Sequence, residues 1–109
     1  MQIYPEVRLG GIIELEEQKR MPLVEVLKKY SDRRPAYFCV PGHRFERGVN
    51  PCLLELWGEK VFSYDYTETP DLDDLHDASG PIDEAQKLAA SLFGADRTFF
   101  IVNGSTCGN

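Results

Sequence analysis

The sequence predicts an α/β fold, a parallel-sheet-containing domain that is incomplete within its 109 residues. Three observations predict it. Thr98-Phe99-Phe100-Ile101-Val102 is β-branched and aromatic with no polar alternation, the pattern of a strand buried on both faces. A strand of that kind belongs to a parallel sheet covered by helices. A periodic helix precedes the run, and a glycine-rich turn follows it directly. The other candidate strands are short, so the sheet needs more partners than this stretch offers.

Each element follows in order. Residues 1–20 are weakly patterned, with Ile12, Ile13 and Leu15 beside Glu14, Glu16 and Glu17, and read as an arm. Pro22 suits the first position of a helix, where its missing N–H costs nothing. Leu23, Val26, Leu27 and Tyr30 then share one face, and the helix stops before Pro35. Tyr37 to Val40 is a candidate strand, broken by the Pro41-Gly42 turn. Asn50 caps a second short helix that starts at Pro51, carries Leu53, Leu54, Leu56 and Trp57, and ends at Gly58. Val61 to Tyr66 is a further candidate strand. Ser79-Gly80-Pro81 opens the clearest helix. Its apolar face is Ile82, Ala85, Leu88, Ala89, Leu92 and Phe93, and Gly94 ends it.

Charge excludes some classes of function. From Asp65 to Glu84 there are eight acids and no Lys or Arg, and the net charge is −6. Nucleic-acid binding, which rests on neutralising phosphates, is not expected. The acidic stretch suits a cationic ligand or a solvated loop. No apolar run is long enough for a membrane span, and the first residues lack the apolar core of a signal peptide, so the expected compartment is cytoplasmic. Cys39, Cys52 and Cys107 are odd in number and widely spaced, which predicts reduced, mostly buried thiols.

The strongest candidate site is Asn103-Gly104-Ser105-Thr106-Cys107-Gly108-Asn109, at the carboxyl end of the candidate buried strand. Ligands bind at such ends in α/β proteins. Gly104 and Gly108 permit close backbone approach, while Ser105 and Thr106 add hydroxyl donors. The alternative is a plain turn. A phosphate loop of the Gly-x4-Gly-Lys-Ser/Thr type is excluded, because the second glycine comes one residue early and no lysine follows. A nucleophile elbow centred on Thr106 fits the glycine spacing but needs an acid and a histidine downstream. His43 follows a turn, and joining it to Cys39, Asp74 and His76 makes no standard ligand set, so no metal is assigned. An EF-hand reading of Asp71 and Asp73 fails at Leu75, His76 and Ile82.

Several segments occur in a telling order. They are Met21-Pro22-Leu23, Val40-Pro41-Gly42-His43-Arg44, Asp71-Leu72-Asp73-Asp74-Leu75-His76, Gly80-Pro81-Ile82 with Ala85, Phe93-Gly94-Ala95-Asp96, and Val102-Asn103-Gly104-Ser105-Thr106 with Gly108-Asn109. This order and spacing resembles the start of the Orn/Lys/Arg decarboxylases, which have the aspartate aminotransferase-like fold type I. The resemblance implies that residues 21–109 open the family's major domain behind an arm of residues 1–20. It implies pyridoxal 5'-phosphate as cofactor, a basic amino acid as substrate and a homo-oligomer as the complete assembly, with no nucleic acid and no membrane. Gly104, Ser105 and Thr106 match the family's cradle for the cofactor phosphate. His43, Asp74 and His76 match stretches towards the active site or dimer interface. The lysine that bears the cofactor in the family lies downstream, in a Ser-x-His-Lys motif, and Lys60 and Lys87 stand in other contexts. No catalytic residue is therefore assigned to this chain, which is expected to be an N-terminal segment, inactive alone. The alternatives are a non-enzymatic module that associates with a full-length relative, and an unrelated anion-binding α/β domain.

Overall fold

The computed structural model describes residues 16–109. Among the described residues from Pro22 onward, four helices run in order: α1 (Pro22–Arg33), α2 (Pro51–Trp57), α3 (Glu59–Ser63) and α4 (Pro81–Phe93). Single turns of 3-10 helix lie at Leu75–Asp77 and Ser105–Gly108. The arm expected over residues 1–20, with Ile12, Ile13 and Leu15, falls outside the described residues except for its last five.

Among the described residues there is no strand, and the expected parallel-sheet α/β fold is overturned. The reason lies in where backbone bonds can be made. A helix satisfies its N–H and C=O groups locally, whereas a strand needs a neighbour. Thr98–Val102 has no run paired beside it, and Phe99, Ile101 and Val102 are exposed rather than buried on two faces. Val61–Ser63 closes local turns instead, as the second half of α3. Tyr37–Val40 stays irregular.

Helix termini follow the punctuation in the sequence. Pro22, Pro51 and Pro81 each take a first helical position. The Asn50 side chain accepts from the Cys52 N–H at 2.9 Å, capping α2. Gly94 (φ 63°) ends α4. There the Ala95 N–H donates to Ala90 O and the Gly94 N–H to Ser91 O, the paired bonds of a Schellman motif.

The core is aromatic. Tyr30, Tyr37, Phe45 and Leu72 are buried together, with Val26, Leu27 and Tyr66 packed against them. The Tyr66 ring meets Tyr30, Tyr37 and Phe45 edge-on, at centroid distances of 4.8, 5.7 and 5.6 Å. Edge-on pairs add about 0.5–1.5 kcal/mol each beyond the area they bury. Burial also raises the Tyr66 phenol above its ordinary pKa. The Tyr37 hydroxyl donates to the Val40 carbonyl and accepts from the Thr67 N–H, joining two irregular segments. α1 packs along α4, and just before α1 Gln18 Nε2 donates to Leu88 O at 3.1 Å. The three cysteines are free and exposed, against the expectation of burial, because the aromatic cluster leaves them outside.

Candidate functional site

The glycine-rich segment forms a sharp turn. Gly104 has φ 81° and ψ 162°, a conformation open to glycine, and the 3-10 turn Ser105–Gly108 follows. Its first bond is Cys107 N–H to Gly104 O, 3.1 Å. The N–H groups of Ser105 and Thr106 precede that bond, and neither hydroxyl has a hydrogen-bond partner among the described residues. All four residues are exposed. No carboxylate side chain lies between Asn103 and Asn109. Unengaged N–H and hydroxyl donors make a set that an anion can satisfy.

His43 is placed elsewhere. Its Nδ1 lies 3.0 Å from Phe45 O and its Nε2 3.0 Å from Asp65 Oδ2, with the ring edge-on to Phe62 at 5.6 Å. Both polar partners are acceptors, so the ring nitrogen that carries the proton donates to the partner it faces. Asp74 and His76 do come together. The Asp74 carboxylate accepts from the His76 N–H at 2.8 Å, capping the Leu75–Asp77 turn, and lies 3.2 Å from His76 Nδ1. The bond from the His76 N–H holds the Asp74 carboxyl below its ordinary value. Glu68 joins this pair, and one ligand atom from each of the three falls within 4.8 Å of the others, with Glu68 and His76 exposed and Asp74 half-buried. No hydrogen bond or ion pair among the described residues links His43, the Asp74–His76 pair and Gly104–Thr106.

Asp73, which the sequence offers only as part of the Asp71–His76 motif, has a capping role of its own. Its carboxylate accepts from the N–H groups of Asp74, Ser79, Gly80 and Ile82, at 3.0, 3.0, 2.9 and 2.9 Å. It therefore caps α4 from outside the helix, at the end where the macrodipole favours negative charge. Burial pushes its carboxyl upward, but the four N–H donors outweigh that and hold it below its ordinary value. Gly80 offers no side-chain cap, and a Cβ there would lie 3.3 Å from the Asp73 carboxyl group. A helix that starts at a bare glycine, with acids upstream, was the available signal.

The sequence profile described as Orn/Lys/Arg decarboxylase, major domain, matches residues 21–109. The chain belongs to this family. An arginine decarboxylase of Bacillus subtilis (strain 168) is 44% identical over 89 residues, which are 82% of this chain and 18% of that protein. The constitutive ornithine decarboxylase of Escherichia coli (strain K12) is 30% identical over 102 residues, 88% of this chain and 14% of that protein. The inducible lysine decarboxylase of the same organism is 32% identical over 94 residues, 81% of this chain and 13% of that protein. The chain thus spans less than a fifth of the length of these decarboxylases. No solved structure matches it. Within the family stretch lie Gly104–Thr106, His43, Asp73, Asp74 and His76. No helix among the described residues is long and apolar enough to cross a membrane.

Proposed function

We propose that this chain is the N-terminal segment of a pyridoxal-phosphate-dependent decarboxylase of basic amino acids, and that it is inactive by itself. The observation that carries this reading is the turn at Gly104–Thr106, with its exposed N–H and hydroxyl donors, inside the family stretch. The exposed N–H and hydroxyl groups of Ser105 and Thr106 fit a phosphate, and these residues would hold the cofactor there. Pyridoxal phosphate, when bound, supplies the electron sink for loss of carbon dioxide from an amino acid. This chain's part is to bind and orient the phosphate end. His43 and the Asp74–His76 pair are proposed to face the active site or the dimer interface of the complete homo-oligomer. The substrate class rests on relatives named for arginine, ornithine and lysine.

The test has two arms. The chain alone is expected to release no carbon dioxide from arginine, ornithine or lysine. Fused to the downstream part of a relative, it is expected to retain the cofactor through dialysis, followed by absorbance. Changing Ser105 and Thr106 together to alanine then removes two bonds to a charged acceptor, worth about 1.5–3 kcal/mol each. Retention is expected to fall by about ten-fold or more per hydroxyl. Thr98→Ser is the control. Undiminished retention in the double variant would show that the segment is only a turn.

A second reading has its own support. Phe38, Leu56, Trp57, Phe99 and Val102 are exposed, and large apolar side chains left in water favour association. On that reading the chain is a non-enzymatic module that joins a full-length relative, and co-purification with that relative is its test.

A further inference from the structure

The chain is acidic overall, yet one concave surface gathers arginines. Arg34, Arg44 and Arg47, with Tyr37, Phe38 and Phe45, line an open pocket of ≈ 400 Å³. Arg34 is 2.8 Å from Glu46 Oε1, and Glu46 stands outside the lining. Arg44 and Arg47 have no carboxylate within ion-pair distance among the described residues. Three arginines against one glutamate leave a local excess of two positive charges.

The backbone at this pocket is strained as well. Arg34 (φ 43°), Arg44 (φ 49°) and Phe45 (φ 63°) all occupy the left-handed region, which non-glycine residues rarely adopt. The burial of the Phe45 ring offsets its strain. The two arginines are exposed; Arg34 has the cap bond from its N–H to Ser31 O and the Glu46 pair, and Arg44 has neither burial nor an ion pair. Arg34 sits at the C-terminal cap of α1, where glycine is the relaxed occupant. Strain of this kind gathers at ligand clamps.

The chemistry of the lining selects a ligand. Guanidinium forks match phosphate oxygens in pairs, and two unpaired forks suit a dianion better than a single carboxylate. Phe38 is 83% exposed, with the Arg44 guanidinium 5.8 Å from its ring centroid, an apolar wall beside the charge. We propose that this pocket binds a phosphate group, free or carried on a small aromatic body. None of Gly104, Ser105 or Thr106 lines it, so the site is separate from the one assigned to the cofactor.

The test titrates the 109-residue chain with inorganic phosphate and with phenyl phosphate at matched ionic strength. Amide resonances and calorimetry are read in parallel. Saturable shifts are expected at Arg34 and at Arg44 to Gly48. Replacing Arg44 and Arg47 together by glutamine is expected to weaken binding by about ten-fold or more. Arg34→Gly relaxes the backbone, keeps the fold and is expected to weaken binding several-fold. Tighter binding of phenyl phosphate, lost in Phe38→Ala, identifies an ester as the ligand; equal binding identifies free phosphate. Shifts that track ionic strength without saturating, shifts confined to Ser105–Gly108, or unchanged affinity in the arginine variants would overturn the proposal.

Discussion

Asp73 holds the start of α4 through one carboxylate, with four N–H groups donating to it. Replacing Asp73 by alanine is expected to cost about 1–2 kcal/mol, in the upper range for a lost helix cap. The measurement is thermal unfolding followed by circular dichroism. The pH dependence has a definite sign. Asp73 is more acidic in the fold than in the unfolded chain, so its contribution is fully present above the ordinary Asp value, 3.8. It is lost as pH falls from there through the lower folded value. Wild-type chain is therefore expected to lose stability across that acidic window by more than Asp73→Ala does. Parallel acid titrations would contradict this. Nothing in the sequence marks Asp73 above its seven acidic neighbours, because its role depends on a turn that brings residues 79–82 back to it.

Helix α4 shows how much of an element is legible beforehand. Pro81 at its start and Gly94 at its end are local signals, and both bounds follow from them. Gly94→Ala is expected to cost roughly 1–2 kcal/mol, since alanine meets open space there but must adopt a left-handed backbone. Urea unfolding measures it. Beyond Gly94, composition misleads. Thr98–Val102 has the residues of a buried strand, but pairing is a non-local property that no pentapeptide encodes. Its amides are expected to exchange with solvent without protection, while those within α4 are slowed. Protection across Thr98–Val102 would show that it pairs after all. Val61–Tyr66 misleads for the related reason that β-branched and aromatic residues also fit a short helix when local bonds are the ones within reach. The candidate site was partly legible. The Gly104 turn and the Asp74–His76 contact are local in sequence. The partner of His43, Asp65, lies 22 residues away and could not be read.

Among the described residues, burial is concentrated in one aromatic cluster, while Phe38, Leu56, Phe93, Phe99 and Val102 stand exposed. Apolar surface of this extent favours association. The chain is expected to bind a hydrophobic dye strongly under native conditions and to associate as its concentration rises. A dye-silent chain that stays monomeric at all concentrations would refute that. The Asp73 staple also has a consequence at this scale. An open cleft of ≈ 560 Å³ runs between the Leu75–Asp77 turn and α4, with His76 on one wall and Lys87 on the other. Asp73 lines neither wall, yet it ties the segment carrying the first to the start of the helix carrying the second. It acts as a spacer gauge: the gap between a histidine and a lysine is set by a carboxylate that touches nothing in the gap.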